Sequence, residues 1–241
     1  FADGRMLGAT ADFALRDARV RLAPDLEDIA MTEAAGRLRV RRERGGLEAS
    51  GRKLRLHTRD GLVVAPTDFF LRVEEATATA PARGEFVANQ LDLGVLSRLA
   101  GRLPFDGGLR KRLATLAPAG RVAPMDLKWS LKEGTLATYA VDARFEGLGI
   151  EPLGAWPGFA GMAGRIDGNE RGGRFTLSGR DAALELPQVF PEARLQLSEL
   201  SAEGSWSHPE GALEVTLASS SFANDDARGT ASGRYQATPD T

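Results

Sequence analysis

Most of the chain alternates apolar and polar residues with a period of two. Leu38 and Val40 alternate with Arg37, Arg39 and Arg41, and Leu54 and Leu56 alternate with Lys53, Arg55 and His57. Met125, Leu127, Trp129 and Leu131 alternate with Asp126, Lys128 and Ser130; Tyr139, Val141, Ala143 and Phe145 alternate with Thr138, Ala140, Asp142 and Arg144. The pattern continues through Phe175 and Leu177, Leu184 and Leu186, Leu195 and Leu197, and Leu213, Val215 and Leu217. Successive side chains of a strand point to opposite faces, so this pattern predicts strands with one dry face and one wet face. Turn signals separate them: Arg44-Gly45-Gly46, Arg59-Asp60-Gly61, Lys132-Glu133-Gly134, Asp167-Gly168-Asn169 and His208-Pro209-Glu210-Gly211. Such spacing suits antiparallel hairpins in a meander.

One segment changes period. From Leu91 to Ala117 apolar residues recur at helical spacing, with Leu93, Leu96, Leu99 and Ala100 on one face and Leu109, Leu113 and Leu116 on another. Gly101-Arg102-Leu103-Pro104 divides two short amphipathic helices, Asp106 is placed to cap the second, and Pro118 and Gly120 end it. They are expected to cap an opening of the sheet or plug the space under it.

These elements create a packing problem. A dozen or so strands carry an apolar face, and two short helices cannot cover it. A second sheet, as in a closed sandwich, would dry the face; so would a bound apolar ligand. The dry positions are mainly Leu and Val, and Phe, Trp and Tyr together make up 7% of the chain. A long aliphatic trough would suit acyl chains.

A phrase also repeats. Residues 43–52 read ERGGLEASGR and residues 170–180 read ERGGRFTLSGR, with one residue inserted in the second copy. A Pro-x-x-Phe corner follows each, at Pro66 to Phe69 and Pro187 to Phe190. One β unit used twice implies an extended architecture. The 28 glycines are spread along the chain, as expected for many strands joined by turns.

Composition narrows the chemistry. A net charge of −2 argues against a dedicated nucleic-acid surface. Without cysteine there is no disulfide, thiolate zinc site or thiol nucleophile. No stretch approaches the ~20 apolar residues of a spanning helix. The chain opens Phe1-Ala2-Asp3-Gly4 and reads as an excerpt of a longer protein. Of two histidines, His57 lies on the polar side of a strand and His208 in a turn. Ser219-Ser220-Ser221 with Asn224-Asp225-Asp226 reads as a strand end and a turn, since no nucleophile elbow accompanies it. Asp225 and Asp226 lack a full calcium-loop signature. Arg37, Arg39, Arg41, Arg42 and Arg44 read first as the solvated face of a strand, and only second as a site for anionic headgroups. Trp129, Trp156 and Trp206 read as packing before they read as a sugar cleft. No spaced carboxylate pair marks a glycosidase. The expectation is a non-enzyme without a cofactor or metal.

The order of several motifs resembles the bacterial AsmA-like superfamily, and within it the YhdP-type proteins. They run from Asn89-Gln90-Leu91-Asp92-Leu93-Gly94-Val95-Leu96 through Leu103-Pro104-Phe105 to Leu116-Ala117-Pro118-Ala119-Gly120 and Trp129. The Tyr139 to Phe145 strand follows, then Pro157-Gly158-Phe159-Ala160-Gly161-Met162-Ala163-Gly164, and finally Gly233-Arg234-Tyr235. The resemblance covers most of the chain and is best from Asn89 to Tyr235. It implies a mainly β, extended and twisted antiparallel β-groove, apolar inside and polar outside. It also implies a periplasmic segment of an inner-membrane-anchored protein that moves phospholipids toward the outer membrane. Its partners would be phospholipid acyl chains, with membrane contacts made by regions outside this excerpt.

Three segments are expected: a first β-groove repeat at 1–88, a helical insertion at 89–120 and a second repeat at 121–241. The lining assigned from the alternation is Leu38, Val40, Leu54, Leu56, Leu127, Trp129, Tyr139, Val141, Phe145, Phe175, Leu177, Leu184, Leu186, Leu195, Leu197, Val215 and Leu217. The competing reading is a closed β-sandwich or solenoid acting as a structural or adhesive spacer in the cell envelope.

Overall fold

In a computed structural model of the chain, residues 7–43, 45–153, 157–185, 194–209 and 212–237 are described. The chain begins with β1 (Gly8–Val20), β2 (Ile29–Glu43), β3 (Gly46–Thr58), β4 (Val63–Glu74), β5 (Ala82–Ala88) and the two-residue β6 (Leu91–Asp92). The helical segment follows: α1 (Leu93–Leu99), a 3-10 turn (Ala100–Arg102) and α2 (Gly107–Leu116). The chain then returns to strands: β7 (Ala119–Lys132), β8 (Thr135–Ile150), β9 (Gly158–Asn169), β10 (Gly172–Glu185), β11 (Arg194–Ser207), β12 (Leu213–Ala223) and β13 (Arg228–Ala237). All thirteen strands join one sheet in chain order, with β6 pairing β7 off the main path. Every pairing is antiparallel. The result is a twisted, open, groove-like sheet. Among the described residues no second sheet faces it, so the closed sandwich does not form.

Exposure agrees with a single layer. The chain presents 16078 Å² to solvent. A compact protein of 25.7 kDa would present about 10,400 Å².

Kinks bend the strands into a groove. Asp17 in β1 (φ 46°), Lys53 in β3 (φ 49°) and Asp181 in β10 (φ 55°) take left-handed backbone. The ladder shifts register at the last two, between Gly51 and Leu54 and between Gly179 and Ala183. An extra residue at a bulge bends the strand and resets which face its side chains point to. In β10 the apolar series Phe175, Leu177 therefore continues as Ala182, Leu184 beyond Asp181. The sequence pattern shows two phases, and the structure resolves them as one kinked strand. It also gives the repeated phrase a meaning, because each Ser-Gly-Arg is followed at once by the left-handed residue. The corner after the first copy braces its kink: the Asp68 carboxylate accepts a hydrogen bond from the Lys53 N–H at 2.6 Å. Pro187 to Phe190 lie outside the described residues.

One turn assignment changes. Asp167-Gly168-Asn169 belongs to β9, and the chain reverses at Glu170-Arg171 instead. Many glycines sit inside strands rather than at turns. The helices form where periodicity places them. Asp92 caps α1 and Asp106 caps α2, each accepting from a backbone N–H three residues on. Ala117 closes α2 in left-handed backbone (φ 39°).

Candidate functional site: an uncovered apolar trough

Directly opposed residues on neighbouring antiparallel strands share a face of the sheet. Register therefore traces rows across the whole molecule. One row runs Ala9, Val40, Ala49, Leu71, Phe86, Leu127, Val141, Gly168, Gly173, Trp206, Val215, Tyr235. The row two residues further along each strand runs Ala11, Leu38, Gly51, Phe69, Ala88, Met125, Ala143, Ile166, Phe175, Gly204, Leu217, Gly233. Their only polar side-chain groups are the phenol of Tyr235 and the indole N–H of Trp206, which donates to the Asn169 carbonyl. The row between them points the other way: Thr10, Arg39, Ser50, Phe70, Val87, Asp126, Asp142, Asp167, Arg174, Ser205, Thr216, Arg234. That row is polar at every place but Phe70 and Val87. At a strand spacing of roughly 4.8 Å each row is about 50 Å long.

The assigned lining falls on the apolar face. Val40, Leu127, Val141 and Val215 occupy the first row; Leu38, Phe175 and Leu217 occupy the second. Trp129 and Tyr139 oppose each other nearer the hairpin ends. Leu177 and Phe145 flank Gly164 on the other side. Beyond the kinks, Leu184 opposes Leu195 and Leu197 opposes Ala182. Leu54 and Leu56 continue β3 past Lys53. Most of these side chains are half-buried. Phe145 (8% exposed) and Leu197 (2%) are packed into the floor and offer little surface to a guest. Leu186 lies outside the described residues.

Only part of this face is enclosed. A cavity of about 480 Å³ lies between β1–β4 and α1. Leu38, Leu54 and Leu56 line it, whereas Val40, Trp129 and Tyr139 line shallower polar basins elsewhere. Its other walls were not foreseen from sequence: Phe13, Leu15, Val20, Ile29 and Met31 from the first hairpin, Val64 and Phe69 from β4, and Val95, Leu96, Leu99 and Leu103 from the helical segment. The signal in β1 was available, since Phe13 and Leu15 are followed by Ala18 and Val20 one residue out of phase.

Glycines shape the floor. A Cβ built on Gly84 would lie 2.1 Å from the Trp129 ring, on Gly173 2.3 Å from Trp206, on Gly204 2.4 Å from Phe175 and on Gly51 2.5 Å from Phe69. Each ring belongs to the residue directly opposite its glycine. The ring thus occupies the space of its neighbour's missing side chain and covers backbone. This accounts for Trp129 and Trp206 as packing; Trp156 lies outside the described residues.

The wet face is laced with ion pairs: Arg37–Asp12 at 2.7 Å, Arg55–Glu33 at 2.8 Å, Arg72–Glu48 at 3.0 Å and Arg165–Asp142 at 2.8 Å. The hydrogen bonds from Arg37 and Arg55 hold the Asp12 and Glu33 carboxyls below the usual carboxylate range. Arg37, Arg39, Arg41 and Arg42 are exposed, as a solvated strand requires; Arg44 lies outside the described residues. Ser219 to Ser221 lie in the last part of β12, and Asn224 turns the chain by accepting from the Asp226 and Ala227 N–H groups at 3.1 and 2.7 Å. Among the described residues no His, Asp or Glu cluster is arranged to hold a metal, and no helix is long and apolar enough to cross a membrane.

The motif order, the single open sheet and its two-faced rows meet in one comparison. Residues 1–241 match the family described as YhdP protein. The chain belongs to the YhdP family. That is a family of AsmA-like bacterial envelope proteins. No curated protein and no solved structure matches the chain. For a YhdP-family chain, the helical segment inserted between the two strand runs and the cavity beneath it are the features that distinguish one stretch of the trough from the rest.

Proposed function

We propose that this chain is a segment of a lipid-transport bridge that conducts phospholipids along its apolar face, in the periplasm between the inner and outer membranes of a Gram-negative envelope. Acyl chains lie on the Leu, Val and Phe rows, and headgroups stay on the open side of the trough. The observation that carries this reading is the continuous, uncovered apolar face, about 50 Å long at ordinary strand spacing. Burial stabilises a chain lying there by roughly 25 cal/mol per Å² of apolar area removed from water, about 0.8 kcal/mol per methylene. These contacts are non-directional. A tail moving by one strand exchanges one row position for the next without breaking a specific bond. The chemistry required is burial alone, so the reading assigns no catalytic group and no cofactor.

Native mass spectrometry of the chain purified from bacteria tests this. Retained phospholipid is expected, displaced by competing detergent. Protein that emerges free of lipid, and stays free after incubation with phospholipid vesicles, would overturn the proposal.

A further inference from the structure

The wall of the trough has a break. β5 pairs with only the far half of β4, Phe69–Glu74, so Val63 to Asp68 have no strand beside them on that side. On the side facing β4, β7 meets β5 from Met125 to Leu131, and near its start meets only the two residues of β6. The lower half of a strand is missing between β4 and β7, and the helical segment takes its place. Side chains close the seam: Asn89 Oδ1 accepts from the Asp68 N–H at 2.9 Å, and Gln90 Nε2 donates to the Pro66 carbonyl at 2.8 Å. Val95 and Leu99 of α1 pack on Leu62, Leu56 and Val64. Ion pairs from Arg102 to Asp60 (2.8 Å) and from Arg110 to Asp25 (3.6 Å) tie the segment to exposed loops. α2 buries no residue.

Two spaces meet at this break. Inside is the apolar cavity of about 480 Å³ beneath α1. Beside it is a polar basin of about 620 Å³ lined by Asn89, Arg121, Arg144 and Glu146. Gln90 and Arg121 line both. Arg121 and Arg144 are exposed and make no ion pair among the described residues, so the basin carries one more positive charge than negative.

We propose that the break is a side port that binds one anionic, hydrocarbon-tailed amphiphile, its tail in the cavity beneath α1 and its head in the basin at Arg121 and Arg144. A tail entering there leaves water for a site lined by Leu, Val and Phe. A phosphate-type head remains hydrated and meets two guanidiniums that can donate charge-assisted hydrogen bonds. The polar basins at Val40 and at Trp129 and Tyr139 share no lining residue with the apolar cavity, whereas the basin at the break shares Gln90 and Arg121 with it. The port is therefore where a molecule with both parts is held in one register. This inference rests on the lipid-binding reading above and adds a place and a head-group preference to it.

The test compares dodecyl phosphate with the uncharged dodecyl maltoside, by calorimetric titration of the whole chain below their micelle concentrations. The wild type is expected to bind one dodecyl phosphate about tenfold more tightly than the maltoside. R121Q/R144Q should erase that preference while still binding both probes. Leu38→Trp, which fills the cavity, should weaken both. A double variant that keeps the wild-type preference, or an L38W variant that binds both probes unchanged, would overturn the port and leave the wider trough standing. Failure of the wild type to bind either probe would overturn the port, and vesicle-derived lipid retention then decides the wider reading separately. Far-ultraviolet circular dichroism of each variant confirms that the sheet is formed.

Discussion

At the scale of single residues, the aromatic rings and the glycines have to be considered together. Gly84 cannot carry a side chain while Trp129 lies where it does. Gly84→Val should destabilise the chain by about 1–3 kcal/mol, as overpacking does. Removing the ring in the same protein, G84V/W129A, should recover part of that loss. Urea unfolding of the two single variants and the double variant measures this; additive losses would show that the ring and the glycine are not coupled. Sequence displayed both residues but not their meeting, because they are 45 positions apart and only register brings β5 against β7. The wet-face carboxylates make a second prediction. Asp12, Asp28 and Glu33 are each held below the ordinary range by a hydrogen bond from an arginine: Arg37, Arg21 and Arg55. The folded state thus binds these protons less readily than the unfolded chain. Their contribution is complete above the unfolded carboxylate values and is lost as pH falls through the lower folded ones. Stability should decline between about pH 5 and pH 2, and R37Q/R55Q should flatten that decline. Exposure of all these groups keeps the effect small and salt-sensitive.

At the scale of elements, the kinks decide what was legible. Strand positions and the two helices could be read because alternation and helical spacing are local. The cap at Asp106 was legible for the same reason. The bulges at Lys53 and Asp181 were not, because a bulge is a relation between two strands and a single strand shows only an interrupted pattern. Leu184 and Leu195 kept their face only because both strands step together at that level. Lys53 supplies a direct test. Its left-handed backbone costs an L-residue about 1–2 kcal/mol, which glycine avoids. Lys53→Gly should leave stability unchanged or raise it by up to about 1 kcal/mol, whereas Lys53→Val should lower it by about 1–3 kcal/mol. Thermal melts of the pair check this. Equal melts would mean that the kink relaxes in solution. The side port was illegible for another reason: nothing local in Asn89-Gln90 announces that a neighbouring strand has lost half its partner.

At the scale of the whole molecule, the two faces separate two kinds of substitution. A carboxylate introduced at Val141 or Leu177 stands on the apolar face. One introduced at Thr176 stands on the polar face beside Glu203 and Arg165. V141D and L177D should reduce retained phospholipid several-fold with circular dichroism unchanged, and T176D should not. Folded V141D and L177D proteins that retain as much lipid as the wild type would show that the guest lies elsewhere. The shortage of internal cover was legible from the count of apolar strands against helices. Whether a second sheet or nothing at all met that face was not, since both solutions have the same alternation.

The bare face also leaves a calorimetric signature. The heat capacity gained on unfolding reports apolar surface newly wetted, and here much of that surface is wet beforehand. Melting the lipid-free chain should therefore yield less than the ~12–15 cal/mol/K per residue of ordinary globular proteins, with a correspondingly shallow urea slope. Saturation with hydrocarbon should move both quantities toward the globular norm, because the missing half of the core is then supplied from outside the polypeptide.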